Sequence, residues 1–388
     1  MSKRLLRMFL VACLAGIPLP ASASPSGAPR RVIVTFAPSG AAATKCDLRR
    51  AGAIELTALP SAGAAAMVLP SGLSIDDVRQ MPGVIAVEDD IIVTASRIAV
   101  APQVLPWGVD RVEADLVWGT TTGDPIKVAV VDTGIDTTHP DLTANLKGGY
   151  SAVKYTRSYN DDNGHGTHVA GTIAAANNSL GVVGVAPKAD LYAIKVLDRA
   201  GTGYLSDIIK GIDWAVSSKV NVINMSLGTS SYSPTFEAAC RRATLAGITI
   251  VAAAGNAGPG LSTVGYPARF ADVIGVSASD STNMLASFSS RGPEVDVAAP
   301  GVSINSTYKN KTYATLSGTS MASPHVAGIA ALVLTTPVAS DDLDGDRVWD
   351  PAEVQNRITR TAQDMGGIGY DTDFGWGLAR ADLAVMAR

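Results

Sequence analysis

The sequence contains little cysteine, little surplus charge and few long apolar runs. It has three cysteines in 388 residues, and its 31 lysines and arginines nearly balance 35 acidic residues, for a formal net charge of −4. Without a basic surplus, the chain shows no electrostatic footprint for nucleic acid. Beyond the N-terminal segment, no apolar run reaches the length of a membrane span. Hydrophobic residues still make up 47% of the chain, which is ample for a large core.

The N-terminal segment predicts export. Basic residues at positions 3, 4 and 7 precede an apolar stretch, 8–19, that is too short to cross a bilayer. The small residues Ala21-Ser22-Ala23 follow, as at a signal-peptide cleavage site. We therefore predict a signal peptide at residues 1–23 and a secreted protein, extracellular or periplasmic, with no membrane attachment after cleavage. A retained anchor is the alternative.

The few cysteines fall in different predicted parts. Cys13 lies in the signal peptide and Cys46 in an N-terminal unit that we expect to be removed, so the mature chain would keep only Cys240. One cysteine cannot form an intramolecular disulfide, and an exported protein then needs another staple. We expect Cys240 to be a free thiol in the core, because no base motif accompanies it.

The first part of the chain predicts a small α+β unit. Four apolar segments are typical of strands: 31–36, 54–56, 65–69 and 84–87. Ser74, followed by Asp77, predicts a capped helix at 74–80. Periodicity is lost between Asp90 and Gln103, as expected of a linker. An N-terminal domain that stays attached is the alternative to a removed one.

Beyond residue 126, apolar segments alternate with helical patterns. Five segments are typical of strands: 126–131, 190–196, 220–225, 249–254 and 273–277. Four others are typical of helices: 165–176, 205–217, 235–246 and 320–334. The strands are nearly continuous apolar runs, which indicates a parallel sheet buried on both faces. We predict a doubly wound, mostly parallel α/β sheet with helices on both faces and with sites at the carboxyl ends of its strands.

Three glycine-rich segments carry an Asp, a His and a Ser beside apolar runs. Asp132 lies in Val-Val-Asp-Thr-Gly, His165 in Gly-His-Gly-Thr-His-Val-Ala-Gly and Ser320 in Gly-Thr-Ser-Met-Ala-Ser-Pro-His. A serine hydroxyl needs a base to take its proton, and a histidine oriented by a carboxylate can act as that base. The resulting oxyanion needs two donors. The backbone N–H of Ser320 and the side-chain amide of Asn256, which follows a predicted strand, can supply them.

Together these segments resemble the subtilisin family of serine endopeptidases, from about Gln103 to Ala384. The resemblance implies an Asp132–His165–Ser320 triad with Asn256 in the oxyanion hole. The N-terminal unit is similar to the inhibitory pro-domain of the same family, including Val-Glu-Asp at 87–89. It implies an inhibitory pro-domain at 30–95, a cleavable linker at 96–102 and a catalytic domain at 103–388. The pro-domain would act as an intramolecular inhibitor until self-cleavage.

Other interpretations of the same motifs remain open at this point. Asp-Thr-Gly also occurs in aspartic proteases, which need two such lobes, and the chain offers one. His165 and His168 have a spacing that zinc could use, although no carboxylate completes a metal motif. We expect His168, His139 and His325 to be structural.

The resemblance also implies a groove that binds an extended peptide by strand addition. The implied substrate-binding residues are Ser226, Leu227, Gly228, Gly201, Gly203, Ala254, Gly255 and Gly265. The last three would line a deep, uncharged pocket for the side chain before the cut. We therefore expect broad specificity, with a preference for a large apolar or aromatic residue at that position.

Calcium is the staple that the resemblance implies. The segment Asn-Asn-Ser-Leu-Gly-Val at 177–182 is similar to the calcium loop of the family, and hard cations prefer carboxylate, amide and carbonyl oxygens. By resemblance, the ligands are Gln103, Asp141, Ala176, Asn178, Leu180 and Val182. An ordinary Asn-rich turn is the alternative.

A second candidate calcium loop spans residues 342–353. Its acidic residues fall at places 1, 3, 5, 9 and 12, as in an EF-hand loop, although Arg347 replaces the glycine of the sixth place. The candidate ligands are Asp342, Asp344, Asp346, Val348, Asp350 and Glu353. The alternative is a solvated acidic loop in which Asp350 caps the helix that Pro351 opens.

We therefore predict a secreted, calcium-stabilised serine endopeptidase that acts on polypeptides as a monomer and matures by self-cleavage. A binding protein, either a pseudoprotease or a permanently inhibited complex, is the rival class. All four catalytic positions are filled, which argues against a pseudoprotease. An esterase that uses the same triad is the third possibility.

Overall fold

The structure is a computed structural model that describes residues 29–91, 102–338 and 341–387. These residues form two compact units, 29–91 and 102–387. The predicted signal peptide, 1–23, lies outside the described residues, as does the predicted linker, 96–102, except for its last residue. Within the described ranges, no helix combines the length and the apolar character needed to cross a membrane.

The first unit is a four-stranded antiparallel sheet with two helices. Its elements are β1 (Arg30–Phe36), α1 (Ala41–Arg50), β2 (Ile54–Leu59), a 3₁₀ turn (Pro60–Ala62), β3 (Ala64–Leu69), α2 (Ile75–Arg79) and β4 (Val84–Asp89), and the strand order is β2-β3-β1-β4. Alternate residues of β1 are buried, as packing on one face requires. Helix α2 begins with the expected capping box, in which Ser74 and Asp77 exchange hydrogen bonds.

The second unit is built on a seven-stranded parallel sheet. Its strands are β5 (Lys127–Asp132), β6 (Leu146–Ser151), β7 (Asp190–Lys195), β8 (Val222–Met225), β9 (Thr249–Ala253), β10 (Ile274–Ser279) and β11 (Val297–Pro300), in the order β11-β10-β9-β8-β5-β7-β6. The prediction of a doubly wound parallel sheet is confirmed. The two outer strands, β6 and β11, were not predicted from the sequence.

Helices cover both faces of this sheet. They are α3 (Trp107–Arg111), α4 (His165–Ala174), α5 (Leu205–Ser217), α6 (Pro234–Leu245), α7 (Thr319–Val333), α8 (Pro351–Arg360) and α9 (Ala381–Met386), and a hairpin of β12 (Ile304–Tyr308) and β13 (Thr312–Leu316) lies outside the sheet. In β5, Val128 and Val130 belong to the same hydrophobic cluster as α4 and α7, whereas Ala129 and Val131 pack with α5 and α6. The continuous apolar strands are therefore explained by burial on two faces.

Polar residues stand at the carboxyl ends of four neighbouring strands. Strand β5 ends at Asp132, β7 ends at Lys195, β8 ends immediately before Ser226, and Asn256 follows β9. Because all four strands are parallel, these ends meet at one edge of the sheet. The fold therefore gathers residues that are far apart in the sequence.

Candidate active site

Asp132 and His165 lie in direct contact at this edge. Nδ1 of His165 lies 2.8 and 2.9 Å from the two carboxylate oxygens of Asp132. The Asp132 side chain is fully buried, whereas that of His165 is 28% exposed. The backbone N–H of Thr133 donates to the same carboxylate at 2.7 Å. This contact orients the imidazole and leaves Nε2 for a second partner.

The surroundings of His165 act on its pKa in opposite directions. Burial by itself would lower the pKa, because an apolar environment disfavours the imidazolium. The charge of Asp132, its hydrogen bond and the more distant charge of Asp161 outweigh burial, and the pKa of His165 is raised above its ordinary value. His165 is therefore a stronger base than free imidazole.

Asp161 holds the first turn of helix α4, where His165 lies. Its carboxylate accepts hydrogen bonds from the backbone N–H groups of Asn163, Gly164 and Thr167. It also accepts from the hydroxyls of Thr133 and Thr167, at 2.9 and 2.6 Å. Asp161 was not among the residues predicted from the sequence. An acidic side chain just ahead of a helix start is the signal that could have identified it.

Ser320 is the second residue of α7 and the only residue of that helix that is not buried. Its Oγ donates to the carbonyl oxygen of Ser226 at 3.1 Å, and Oγ of Ser226 donates to the Ser320 carbonyl at 2.8 Å. Pro324, which stands four residues further on, has no N–H for that carbonyl, so Ser226 replaces the missing helical hydrogen bond.

Ser320 is connected to the cavity beside the histidine through one residue. Ser226, its hydrogen-bond partner, lines one cavity together with His165. Among the described residues, no hydrogen bond joins Ser320 to His165, and Oγ of Ser320 donates to the carbonyl of Ser226 instead. Such contacts often tighten only when substrate is bound.

Asn256 offers a free amide donor beside the start of α7. Its Oδ1 accepts from both the backbone N–H and the hydroxyl of Thr319, each at 3.0 Å. These two donors identify the oxygen end of the amide, so Nδ2 is left to donate elsewhere. The neighbouring backbone N–H of Ser320 lies in the first turn of the helix, where such groups lack helical partners. Two hydrogen-bond donors are thus available next to the serine.

A cavity of about 680 Å³ opens beside His165. Five of the predicted substrate-binding residues line it: Gly201, Gly203, Ser226, Leu227 and Gly228. Apolar side chains of α5 and α6, among them Ile208 and Phe236, form another part of its wall. The sequence analysis missed these two, because their apolar periodicity is the same as that of residues in the core.

The other three predicted substrate-binding residues lie together outside this cavity. The N–H of Gly265 donates to the carbonyl of Ala254 at 2.9 Å, and the N–H of Gly255 donates to the hydroxyl of Thr319 at 3.1 Å. Gly255 has φ +113°, which side chains rarely adopt. A Cβ at position 265 would lie 3.2 Å from the carbonyl oxygen of Thr229. The backbone conformation thus requires glycine at 255, whereas at 265 a side chain would make a tight contact.

The remaining histidines are buried and contact backbone groups. Ring nitrogens of His139, His168 and His325 lie 2.9 to 3.1 Å from carbonyl oxygens. Burial lowers the pKa values of His168 and His325 to about 4, and the hydrogen bonds to carbonyl groups and, for His168, the charge of Asp132 offset it only in part. These contacts support the structural role expected of all three.

The cysteines that the structure describes differ in exposure. Cys240 is buried and Cys46 is exposed, whereas Cys13 lies outside the described residues. Burial raises the pKa of the Cys240 thiol to about 12, so it remains protonated. Its position in the core agrees with the expectation from the sequence.

The residues of the first predicted calcium loop converge just beyond the end of α4. The side-chain amide of Gln103 donates to the carbonyls of Ala176 and Val182, at 2.9 and 3.1 Å. The amide of Asn178 donates to Oδ1 of Asp141 at 3.0 Å. The amide nitrogens of Gln103 and Asn178 thus face carbonyl and carboxylate oxygens. A half-turn about the last side-chain bond would exchange the nitrogen and the oxygen of each amide, so that oxygens alone would face one another. This donor set fits calcium.

Two further contacts complete this loop. The backbone N–H of Leu180 donates to Oδ1 of Asn178 at 3.0 Å. The hydroxyl of Tyr313, which the sequence analysis missed, donates to Oδ2 of Asp141 at 2.9 Å. Burial and the neighbouring carboxylate raise the pKa of Tyr313, so it remains a donor.

The second acidic loop is only partly gathered. Ligand atoms of Asp342, Asp344 and Glu353 lie within 4.8 Å of one another. Asp346 stands outside this group, and Asp350 forms a capping box with Glu353 at the start of α8. Arg347, at the sixth place of the loop, has φ +66°, the left-handed conformation for which the EF-hand pattern uses glycine. The loop combines features of both interpretations given above.

Comparisons with known proteins extend over most of the chain. Residues 123–377 match the model of a family described as the subtilase family. M-protease of Shouchella clausii is 46% identical over 321 residues, which cover 82% of this chain and 79% of that protein. Subtilisin Savinase of Lederbergia lenta is 48% identical over 283 residues, 73% of this chain and 99% of that protein. Subtilisin E of Bacillus subtilis is 46% identical over 317 residues, 81% and 78% of the two chains.

Proposed function

The chain belongs to the subtilase family and is a serine endopeptidase, and we propose that Asp132, His165, Ser320 and Asn256 are its catalytic groups. The main support for this assignment is the contact of His165 with both oxygens of Asp132. His165 also lines the same cavity as Ser226, the residue to which Ser320 is hydrogen-bonded. No other pair of residues on that edge offers a base oriented by a buried carboxylate within the described part of the chain.

In the proposed mechanism, Nε2 of His165 takes the proton of Ser320 as Oγ attacks the carbonyl carbon of the peptide bond. Asp132 stabilises the imidazolium that forms. The backbone N–H of Ser320 and Nδ2 of Asn256 donate to the developing oxyanion. The imidazolium then gives its proton to the leaving amine, and a water molecule, activated by the same base, hydrolyses the acyl-enzyme.

Peptide substrates would bind along the groove in an extended conformation. Ser226, Leu227 and Gly228 offer backbone groups at the end of β8, and Gly201 and Gly203 form the facing wall. Main-chain hydrogen bonds of this kind favour broad specificity. The uncharged walls at Ala254, Gly255 and Gly265 support a preference for a large apolar or aromatic residue before the cut.

We propose that the protein is exported as a precursor and matures by cutting itself. Residues 1–23 would be removed as a signal peptide, 30–95 would inhibit as a pro-domain, and 96–102 would be the cleavable linker before the catalytic domain, 103–388. Support comes from the first unit, whose described residues, 29–91, are compact by themselves. The mature enzyme would act as an extracellular or periplasmic monomer.

Calcium would stabilise the mature enzyme rather than take part in the reaction. The proposed ligands of the first site are Gln103, Asp141, Ala176, Asn178, Leu180 and Val182. Bound calcium would supply positive charge that balances oxygens converging beyond α4. A second, weaker site is proposed at Asp342, Asp344 and Glu353, where three carboxylates lie together.

Expression of the wild type beside Ser320→Ala, with the intact mass of each secreted product, tests the proposal. Loss of residues 1–102 in the wild type only, together with casein hydrolysis, is expected. Processing of both variants would assign the cut to a host protease. Processing of neither, without casein hydrolysis, would favour a permanently inhibited binding protein. Hydrolysis of short acyl esters but not of casein would favour an esterase.

A further inference from the structure

A fully buried lysine stands next to the catalytic aspartate. Lys195 ends β7, pairs in register with Asp132 of β5, and has no solvent exposure. Lysine is almost never fully buried unless it is paired, because removing an ammonium from water is costly. A position that could hold an apolar residue instead holds a charge, which calls for an explanation.

All three donors of the Lys195 ammonium are used. Nζ donates to the carbonyl of Thr133 at 2.7 Å, to Oδ1 of Asp162 at 2.7 Å and to the carbonyl of Leu197 at 3.0 Å. The second oxygen of Asp162 accepts from the hydroxyl of Tyr155 at 2.7 Å. The ammonium is thus held in one place by groups from three different segments.

Each partner belongs to a different part of the site. Thr133 follows Asp132, and its N–H donates to the Asp132 carboxylate. Asp162 lies in the loop that leads to His165. Leu197 lines the substrate cavity, and its own N–H donates to the carbonyl of Asp132 at 3.1 Å. A single cation therefore connects the carboxylate, the base and the groove wall.

We propose that Lys195 is a positioning residue of this protease, which holds the segments carrying Asp132 and His165 at the spacing that catalysis requires. The inference depends on the catalytic assignment made above. Neither Lys195 nor Asp162 contacts substrate or a reacting atom in the proposed mechanism. Because a misplacement of about 1 Å can reduce a rate about 100-fold, the effect of losing this tie should appear in kcat.

The ion pair also has an electrostatic consequence. Removing Lys195 leaves the negative charge of Asp162 unbalanced near His165, which favours the imidazolium, whereas neutralising Asp162 leaves the ammonium unbalanced and disfavours it. The charged and titratable groups around His165 come from β5, the preceding loop, α4, β7 and the end of β12. They are Asp132, Asp161, Asp162, His168, Lys195, Tyr308 and Lys309. Each variant changes one of these charges and leaves the others, so the shift in the pKa of His165 reports on the substituted charge.

The test compares Lys195→Met, Asp162→Asn and Lys210→Met in the full-length protein. Lys210 is a matched control, since it is a lysine in an ion pair on the surface, with a side chain 53% exposed. Active sites are counted with a serine-directed fluorophosphonate, so that incomplete maturation does not lower the apparent kcat. The pH dependence of kcat/KM and the melting temperature are measured for each variant.

We expect kcat of Lys195→Met to fall about 10- to 100-fold, with a smaller rise in KM. The melting temperature should fall as well, because two buried carbonyls and Asp162 lose their donor, so kcat is measured on titrated active sites well below that temperature. The acid limb of kcat/KM should move up by about 0.5 pH unit in Lys195→Met and down by a similar amount in Asp162→Asn. Lys210→Met should behave as the wild type does.

Wild-type kcat and an unmoved acid limb in Lys195→Met would overturn the inference, as would a loss of melting temperature alone. If Lys195→Met does not fold, Asp162→Asn decides by the same two criteria. Ser320→Ala is measured in parallel. Activity that persists in that variant would reject the catalytic assignment itself, whereas its loss leaves the role of Lys195 to the other variants.

Discussion

The two ends of helix α4 both carry clusters of polar groups, but these clusters are held together in different ways. At its start, His165 is hydrogen-bonded to Asp132, and Asp161 accepts hydrogen bonds from backbone N–H groups of the first turn, so the geometry is set by the protein alone. Just beyond its end, Ala176 and Asp141 present oxygens to amide groups, in a set that suits a cation. On the assignments proposed above, one helix carries a preorganised catalytic group at its start, while the loop beyond its end would depend on a bound cation.

The largest expected effect is the loss of kcat on a substitution at the start of α4. Asp132→Asn keeps the shape of the side chain but removes the charge that stabilises the imidazolium and selects its tautomer. We expect kcat to fall about 10⁴-fold, the size of the effect of this change in other serine proteases, with a melting temperature close to that of the wild type. Assays of titrated active sites against a chromogenic peptide measure it. A loss below 10-fold would contradict the role given to Asp132.

Removal of calcium should lower stability through the loop beyond the end of α4, without changing the contacts at its start. In the inactive Ser320→Ala background, a chelator should lower the melting temperature, since a ligand at about 1,000 times its Kd contributes about 4 kcal/mol. Asp141→Asn should abolish most of this calcium-dependent shift, because it removes the carboxylate of the loop. The matched control is Asp344→Asn, in the second acidic loop, which should retain most of it.

The opposite result for these two variants would assign the main calcium site to the other loop. If Asp344→Asn loses the shift and Asp141→Asn keeps it, the loop at 342–353 is the main calcium site. Equal retention in both variants would mean that calcium binds elsewhere in the chain.

The sequence predicted the helices and strands that carry the candidate catalytic residues better than the contacts around those residues. The bounds of α5 were predicted correctly because its apolar face is periodic, and the strands leading to Asp132 and Asn256 because they are buried on both faces. Helix α1 was missed because only Thr44 and Leu48 of its residues are buried, which leaves little periodicity. Strand β6 is rich in glycine, and β11 has four residues and ends in proline.

Long-range polar contacts could not be predicted in the same way. Lys195 and Asp162 are 33 positions apart, and Asp141 and Tyr313 are 172 apart. Nothing in local periodicity records such partners, because each depends on how strands and loops meet in the fold. The family resemblance supplied residue roles, but it did not supply the contacts that hold those residues in place.

The middle of α4 gives a pH-dependent prediction. His168, one turn from His165, and His325 are buried and neutral, with pKa values lowered to about 4 from 6.5. Between those values the unfolded chain binds more protons than the folded one, so stability is full above about pH 6.5 and falls as the pH decreases. Each histidine should cost about 2 kcal/mol between pH 6.5 and 5.

Urea unfolding of Ser320→Ala at pH 7 and pH 5 measures this loss. His165 contributes with the opposite sign, because its raised pKa favours the folded state at low pH and that contribution disappears as the pH rises. His325→Gln should reduce the dependence on pH by about one proton. An unchanged dependence would mean that the histidine is not neutral in the folded protein.

The smallest expected effect lies in the acidic loop, which resembles a calcium site more in backbone than in ligands. Arg347 has φ +66°, which costs a side chain about 1 kcal/mol that glycine avoids. Arg347→Gly in the Ser320→Ala background should therefore raise the free energy of unfolding by about 0.5 kcal/mol, after the entropy that glycine loses on folding. Asn310→Gly, at φ +61°, is the control and should gain less, since asparagine tolerates this conformation.

If Arg347→Gly gains stability only when calcium is present, the glycine favours a loop closed around the ion, and the second site is real. A gain of equal size with chelator would make it a relief of backbone strain alone, and the cluster of Asp342, Asp344 and Glu353 would then be a solvated acidic loop.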